Sequence, residues 1–177
     1  MELFEKTIKS NLIYDGKILQ LYKDEIETAQ GHKSTREIIN HNGGASVLAI
    51  DDENNIYLVE QFRYAYKEVV LEIPAGKIEK GEDPYNTAVR ELSEEIGATA
   101  KEIKKLGLFY PTPGYTNEPL YVYLAKGLTF ANNHLDKGEA LNIVKMPFSE
   151  ALSKVMNNEI KDAKTVISIL MNTQFSQ

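Results

Sequence analysis

Residues 76–98, GKIEKGEDPYNTAVRELSEEIGA, contain the local signals of a helix that follows a glycine turn. Asp83 is a favourable N-cap residue, and Pro84 suits the first helical position, where no backbone donor is needed. Gly97 suits the residue just past the end, which often adopts a left-handed conformation. The sequence therefore predicts a helix from about Pro84 to Ile96.

The predicted helix has an apolar side and an acidic side. Helical spacing places five residues on the core side: Tyr85, Ala88, Val89, Leu92 and Ile96. Glu91, Glu94 and Glu95 are spaced i, i+3 and i+4, so their Cβ atoms lie about 5–6 Å apart. They repel one another, and the helix dipole at this end disfavours negative charge. Because Arg90 is the only cation within the helix, these hard oxygen ligands predict a Mg²⁺ or Mn²⁺ site rather than a solvated acidic surface.

The same stretch resembles the Nudix box, G-x5-E-x7-R-E-U-x-E-E-x-G-U, in which U is a bulky aliphatic residue. Every fixed position is filled, by Gly76, Glu82, Arg90, Glu91, Leu92, Glu94, Glu95 and Gly97. Ala98 departs from the pattern because it is smaller than the usual final residue. Average composition gives a chance match of about 10⁻⁸ per starting point. The resemblance implies hydrolysis of a nucleoside diphosphate that is linked to another group.

Composition limits the class of protein. The chain has 177 residues, of which 42% are hydrophobic and 26% charged, as is typical of a globular protein with a sizeable core. Its net charge of −6 argues against nonspecific nucleic-acid binding, and the absence of cysteine excludes disulfides and thiol catalysis. The N-terminus lacks an apolar signal core, and no run of about 18 apolar residues occurs. We therefore expect a cytoplasmic protein without a membrane partner.

Apolar runs between turn residues predict an α/β fold class. Two strands around the Asp15-Gly16 turn and a third at Arg36–His41 predict a short antiparallel β unit at the N-terminus. Further strands are predicted at residues 45–50, 56–62, 69–73, 102–110, 120–125 and 140–146, with a loop at 129–138 and helices at 147–157 and 162–172. The resemblance implies a Nudix-type α/β/α sandwich with a mixed sheet. We place an N-terminal β arm at residues 1–42 and the Nudix hydrolase domain at residues 43–177.

The N-terminal arm also bears on the oligomeric state. In the resembling family this arm is exchanged across a symmetric dimer and supplies part of the partner subunit's adenine site. The hairpin-like start of this chain is consistent with such an arm, so we expect a homodimer with an exchanged N-terminal arm. The alternative is a hairpin that folds back on its own domain.

Segments outside the box resemble bacterial ADP-ribose pyrophosphatases: REIINH, EQFRYAY, LEIPAGKIEKGE, FYPTPGYTNE and DAKT. Pro113 lies 15 residues beyond Ala98, where that subfamily carries a marker proline, and Glu118 matches its S-P-G-x-x-x-E pattern with Thr112 in place of serine. The resemblance implies cleavage of ADP-ribose to AMP and ribose 5-phosphate. The alternatives are a hydrolase for another nucleoside diphosphate sugar or dinucleotide, and a non-catalytic nucleotide-sensing module. The sensing module is disfavoured because such proteins often lose box glutamates.

Hydrolysis of a diphosphate requires cations that neutralise its oxygens and a base that activates water. We assign metal binding to Glu91 and Glu95, with Glu94 reaching a further ion. The resemblance adds the backbone carbonyl of Ala75 as a metal ligand.

Three further groups are expected to take part in catalysis: Arg90, Glu82 and a general base. Arg90 would orient the box carboxylates, because a guanidinium grips a carboxylate in two places, and Glu82 would pair with the same network. The resemblance places the general base on the late loop, where Glu139 is the first choice and Asp136 the second. The alternative for each is a solvated loop charge. His134, in the same loop, is expected to be a surface residue.

The resemblance also implies substrate contacts outside the helix. Arg63 resembles the family's phosphate-binding arginine, although a surface salt bridge is the alternative. Arg36 and Glu37 resemble an adenine-contacting pair donated by the N-terminal unit. Glu79 and Glu118 are expected to contact ribose hydroxyls or to support neighbouring groups. Three tyrosines stay open between stacking on a base and packing in the core or an interface: Tyr64, Tyr66 and Tyr115.

Overall fold

The chain divides into two compact units. The computed structural model describes residues 2–134 and 140–175. The first unit comprises the residues up to Gly43 together with Tyr110–Pro119, and the second comprises Gly44–Phe109 and the residues from Leu120 onward. Within the described ranges, no helix is both long and apolar enough to cross a membrane. The predicted domain boundary at residues 42 and 43 stays a prediction.

A three-stranded antiparallel sheet forms most of the first unit. Strands β1 (Glu5–Asp15), β2 (Leu19–Thr28) and β3 (Lys33–His41) lie in that order. The Gly16 N–H donates to the Leu19 carbonyl (3.0 Å) and closes the first hairpin at the predicted turn. The third strand begins earlier than predicted because its pairing with β2 continues to that point.

The segment Tyr110–Pro119 is bound to the end of β3. The Ile39 N–H donates to the Tyr115 carbonyl (2.7 Å), and the Asn117 N–H donates to the Ile39 carbonyl (3.2 Å). The Asn117 side chain accepts a further hydrogen bond from the His41 N–H (2.9 Å). This proline- and glycine-containing loop therefore belongs to the first unit.

A mixed sheet forms the centre of the second unit. Its seven described strands are β4 (Gly44–Ile50), β5 (Asn55–Arg63), β6 (Glu68–Glu72), β7 (Ala75–Lys77), β8 (Ala98–Phe109), β9 (Leu120–Phe130) and β10 (Leu141–Pro147). The strand order is β10-β5-β4-β9-β8, with β6 paired to β5 and β7 paired to β4. β4 and β9 are parallel, whereas β8 and β9 and the pairs made by β5 are antiparallel. The predicted mixed sheet is therefore confirmed.

Helices cover both faces of this sheet. They are α1 (Pro84–Ile96), α2 (Phe148–Met156) and α3 (Ala163–Phe175). Val47 on β4 belongs to the buried cluster that contains residues of α1, whereas Leu48 belongs to the cluster that contains residues of α2 and α3. Successive side chains of a strand point to opposite faces, so α1 lies on one face and the other two helices lie on the other. The predicted α/β/α sandwich is confirmed.

The bounds of α1 agree with its sequence signals. The Asp83 side chain accepts a hydrogen bond from the Tyr85 N–H (2.9 Å), as an N-cap does. Gly97 adopts a left-handed conformation with φ of 65°, and its N–H donates to the Ser93 carbonyl (3.0 Å). The predicted helix from Pro84 to Ile96 is thus confirmed.

The predicted apolar side of α1 is partly wrong. Ala88, Leu92 and Ile96 are buried, but Tyr85 is 44% exposed and Val89 is 38% exposed. The buried side turns instead toward three polar residues: Thr87, Glu91 and Glu95. Hydrogen bonds to neighbouring groups make this burial of polar atoms tolerable.

Long-range pairing lengthens two predicted strands and forms one strand that was not predicted. β8 begins at Ala98 instead of residue 102, and β9 continues to Phe130 through part of the predicted loop, because these two residues pair with each other. Residues 75–77, which include the predicted glycine turn at Gly76, form β7 and pair with residues 44–46 of β4. Each change adds backbone hydrogen bonds to a partner that is distant in sequence.

Candidate active site

Arg90 gathers three glutamates at the C-terminal end of α1. Its Nη1 donates to Glu91 Oε1 (2.6 Å) and to Glu94 Oε2 (2.8 Å). Its Nε and Nη2 reach the two carboxylate oxygens of Glu82 at 3.2 and 3.4 Å. Burial opposes the charge on Arg90, but these three carboxylates raise its pKa well above the ordinary value. One guanidinium therefore fixes the relative positions of three carboxylates.

The fourth glutamate of the cluster is bound to the backbone of β7. The Ala75 N–H donates to Glu95 Oε2 (3.1 Å), and Glu95 is 3% exposed. Gly76 lies so close to α1 that a Cβ there would overlap the carboxylate of Glu91, which is 8% exposed. A residue with a side chain could not take this position without displacing that carboxylate. The glycine thus allows the β7 backbone to approach the acidic side of the helix.

The donor set of this cluster fits a divalent ion. Among the described residues, no group of three acids or histidines is already arranged as a metal site. The cluster nevertheless contains four carboxylates, of which three are bound to Arg90 and the fourth, Glu95, to the Ala75 N–H; Glu91 and Glu95 are buried. Carboxylate and backbone carbonyl oxygens are the ligands that hard divalent cations prefer. The chemistry of the predicted ligands therefore suits such a cation.

Glu82 connects the loop before α1 to Arg90. Its Oε2 accepts a hydrogen bond from the Glu79 N–H (3.1 Å). The hydrogen bond from Arg90 lowers the pKa of Glu82 to about 2, although burial partly opposes the shift. The Glu79 side chain is exposed, so this residue contributes its backbone to the network.

Glu82→Gln is expected to lower the free energy of unfolding in metal-free buffer near pH 7 by about 1 kcal/mol, because the pair with Arg90 is partly screened by solvent. The depressed pKa means that Glu82 stabilises the fold above its ordinary pKa of 4.5, and that this stabilisation is lost as the pH falls toward about 2. Urea unfolding of the native protein and of Glu82→Gln should show that the difference in their free energies of unfolding decreases as the pH is lowered. Glu150→Gln, at an exposed position, is the control, and a difference that persists at low pH would contradict the assignment.

Arg63, at the end of β5, binds a buried glutamate. Its Nε and Nη2 donate to the two oxygens of Glu72 at 2.7 and 2.8 Å. The Glu72 side chain is 2% exposed, whereas the Arg63 side chain is 42% exposed. Burial opposes the charge on Arg63, but Glu72, Asp162 and Glu95 together raise its pKa. The contribution of Glu95 relates Arg63 electrostatically to the acidic cluster.

Three other predicted contact residues belong to the first unit: Arg36, Glu37 and Glu118. Arg36, half-buried on β3, makes a two-point ion pair with Glu5, and Glu37 beside it is exposed. The Glu118 carboxylate lies 3.6 Å from His41 Nδ1. The three tyrosines are exposed, which contradicts the core alternative: Tyr64, Tyr66 and Tyr115. The proposed roles of Arg36, Glu37 and Glu118 stay predictions.

The start of the late loop is attached to the end of α1. The Ala131 N–H donates to the Gly97 carbonyl (2.7 Å), and the His134 N–H donates to the Glu94 carbonyl (3.1 Å). The Asn133 side chain donates to the Glu95 carbonyl (3.4 Å). His134 is exposed, as predicted. These bonds hold the approach to the loop beside the acidic cluster.

Both candidates for the general base lie outside the described residues. Glu139 and Asp136 fall in the range 135–139. The attachment of the preceding residues to α1 was missed by the sequence analysis. The only available signal was the pair Asn132-Asn133 after a strand, since asparagine side chains often bind nearby backbone groups.

Comparisons with known proteins agree with this fold and site. The family model of the NUDIX domain matches residues 40–166. The chain is 43% identical to the ADP-ribose pyrophosphatase of Bacillus subtilis (strain 168), over 94% of this chain and 91% of that protein. It is 42% identical to the methanol dehydrogenase activator of Bacillus methanolicus, over 93% of this chain and 90% of that protein.

A solved structure supports the fold independently. The crystal structure of an ADP compounds hydrolase superposes with a TM-score of 0.86 and covers 99% of this chain and 96% of its own chain. The sequence identity is 18%, so this likeness concerns the fold alone. Together with the family match over most of the chain and the 43% identical relative, it leads to one conclusion. The chain belongs to the NUDIX domain family.

Proposed function

We propose that the protein hydrolyses the diphosphate of ADP-ribose to AMP and ribose 5-phosphate, with Mg²⁺ as its cofactor and Mn²⁺ as a possible substitute. The observation that carries this proposal is the complete set of box glutamates, which Arg90 and the β7 backbone gather at one end of α1. The 43% identical relative that is named an ADP-ribose pyrophosphatase supports this choice of substrate.

The residues of the acidic cluster would bind the divalent ion and orient its ligands. Glu91, Glu95 and Glu94, with the Ala75 carbonyl, would hold the divalent ion. When bound, such an ion neutralises phosphate charge and lowers the pKa of a bound water. Arg90 keeps the carboxylates in one arrangement before the ion arrives, which reduces the reorganisation that binding requires. Glu82 restrains Arg90 in turn.

Arg63 would bind the diphosphate of the substrate. Its Nε and Nη2 are engaged by Glu72, while Nη1 has no hydrogen-bond partner within the described part of the chain. A guanidinium with one edge fixed and another edge available suits a phosphate oxygen. The substantial exposure of its side chain makes this edge accessible to a ligand.

The N-terminal unit would complete the nucleoside site in a homodimer. Arg36 and Glu37 of an exchanged arm would contact the adenine, and Glu79 and Glu118 the ribose hydroxyls. The apolar side chains exposed on and beside β1 support the exchange, because a second copy would cover them: Leu3, Phe4, Ile8, Leu12, Ile13 and Tyr14. A cytoplasmic location fits a substrate of this kind.

Product analysis tests the proposed reaction. Purified protein is incubated with ADP-ribose in Mg²⁺ or in EDTA, and the AMP and ribose 5-phosphate that are released are quantified. Hydrolysis should release the two products in equal amounts. We expect both products with Mg²⁺ and neither with EDTA. Faster cleavage of another nucleoside diphosphate sugar would favour a different substrate. Tight binding of ADP-ribose without AMP release would favour a nucleotide sensor.

A second candidate function is the activation of a dehydrogenase. The observation in its favour is the 42% identity to a protein named methanol dehydrogenase activator. The rate of a Bacillus methanol dehydrogenase would be measured with and without this chain. A rise that Glu95→Gln abolishes would link activation to the acidic cluster, and an unchanged rate would remove this candidate.

Glu139→Gln is expected to lower kcat by about 10²-fold while changing KM much less, because a general base acts in the transition state. Steady-state kinetics with ADP-ribose measure both constants. Asp136→Asn serves as the matched comparison on the same loop. If kcat is unchanged in the Glu139 variant and falls in the Asp136 variant, the role belongs to Asp136.

A further inference from the structure

A buried ion-pair network connects Arg63 to the start of α3. Glu72, 1% exposed, accepts hydrogen bonds from Arg63 and from the Lys164 ammonium group. Lys164 is 9% exposed, and its Nζ also donates to Asp162 Oδ1 (2.9 Å). Two cations and two carboxylates thus alternate along the network. Their formal charges sum to zero, which makes the burial of the two central groups tolerable.

The segment Asp162–Thr165, which includes Lys164 and the start of α3, also binds the residues at the end of β6. Asp162 caps the helix, since its Oδ2 accepts from the N–H (3.0 Å) and the hydroxyl (2.6 Å) of Thr165. The Thr165 hydroxyl oxygen in turn accepts a hydrogen bond from the Ile73 N–H (2.8 Å). The Asp162–Thr165 segment, DAKT, therefore contacts two consecutive residues of the chain, Glu72 and Ile73.

These contacts lead directly to the acidic cluster. After Ile73, the Pro74 carbonyl accepts from the Val47 N–H (2.9 Å), and the Ala75 N–H donates to Glu95 (3.1 Å). Every residue from 72 to 75 is thus bound to another element of the second unit. The segment from Glu72, which binds Arg63, to Ala75, whose carbonyl is a predicted metal ligand, therefore has little freedom to move.

We infer that Glu72, fixed by Lys164, is a positioning residue that holds the Arg63 guanidinium ready for the diphosphate. This inference rests on the proposed function of Arg63. An arginine that is 42% exposed would otherwise sample several rotamers, and ordering it on binding would weaken the affinity. The two-point bond to a buried carboxylate restricts the guanidinium before substrate arrives. The hydrogen bond from Lys164 holds that carboxylate in place.

The test compares two pairs of substitutions. Glu72→Gln/Lys164→Met removes the central charges together, so that no uncompensated buried charge is left by the change. Glu68→Gln/Lys161→Met is the matched control, because these residues form an exposed pair at 3.9 Å between the same β6 and the residue before Asp162. Each pair is made in the native chain and in the Arg63→Ala background, and folding is checked by thermal unfolding.

We expect Glu72→Gln/Lys164→Met to lower kcat/KM for ADP-ribose by at least about tenfold in the native chain. In the Arg63→Ala background, the same pair should change kcat/KM by less than about twofold, because Glu72 acts through Arg63. The control pair should change it by less than about twofold in both backgrounds. Equal losses in the two backgrounds would overturn the inference, since a merely structural role does not depend on Arg63.

A readout that does not depend on turnover separates this inference from the proposed reaction. The Arg63 Nε–H is followed by NMR, where the bond to Glu72 should slow its exchange with water. Glu72→Gln/Lys164→Met should speed that exchange by at least about tenfold, and the control pair should leave it unchanged. An unchanged rate in the first pair overturns the positioning role. If the native protein fails to cleave ADP-ribose, the proposed reaction fails, and the exchange rates still decide whether Glu72 restrains Arg63.

Discussion

Glu95→Gln is expected to leave the fold intact and to lower kcat/KM for ADP-ribose by about 100-fold or more. The glutamine oxygen can still accept the hydrogen bond from the Ala75 N–H, so the contact between α1 and β7 is preserved. The substitution removes the negative charge that a divalent ligand site requires. The effect is therefore expected in catalysis and metal affinity and not in folding.

Two measurements check this prediction for Glu95. Steady-state hydrolysis of ADP-ribose gives the loss of activity, and titration of Mn²⁺ by electron paramagnetic resonance gives the loss of metal affinity. Glu102→Gln on β8, at an exposed position, is the control and should behave as the native protein. Near-native activity of Glu95→Gln would refute its assignment as a metal ligand.

Arg90→Met is expected to destabilise the metal-free protein by about 2 kcal/mol, which is less than for a fully buried pair because the side chain is 32% exposed. The change removes the guanidinium that Glu82, Glu91 and Glu94 share, and their mutual repulsion then acts against the fold. Added Mg²⁺ should recover part of the lost stability, because a divalent ion binds only the folded cluster. Turnover should also fall, since the carboxylates lose their common orientation.

Urea unfolding in EDTA and in Mg²⁺ measures the stability of the Arg90 variant. Lys154→Met on α2 is the control, because it removes a cation from a partly exposed pair with Glu159. The control should change stability by less than about 1 kcal/mol and should not respond to Mg²⁺. If Mg²⁺ stabilises the control and the Arg90 variant equally, the ion does not act at this cluster.

Local signals explain why α1 was predicted correctly while its buried side was not. Asp83, Pro84 and Gly97 act on the backbone within a few residues, so the helix bounds follow from neighbouring residues alone. Burial depends on what packs against the helix. The β7 backbone, positioned by its pairing with β4, binds Glu95 and passes beside Glu91. The spacing of apolar residues along α1 does not indicate that such a strand packs against its acidic side.

The setting of Arg63 depends on even more distant residues. The sequence suggested a phosphate contact or a surface salt bridge, and the structure shows an ion pair with a buried glutamate. Glu72 and Lys164 are 92 residues apart, and each residue type is normally exposed. Both were within segments quoted for their resemblance, yet neither spacing nor composition indicates that they are in contact. Only the packing of α3 against the sheet brings them together.

The sequence by itself determined the acidic helix, its caps, the α/β class and the family, because these depend on residue types at short, regular spacings. The tertiary structure alone decided which carboxylates are buried, which one Ala75 binds, and that Glu72 binds both Arg63 and Lys164. Charged groups have little preference for one another in an extended chain in water, since solvent screens them. They acquire defined partners only when folding removes that solvent and fixes their distances.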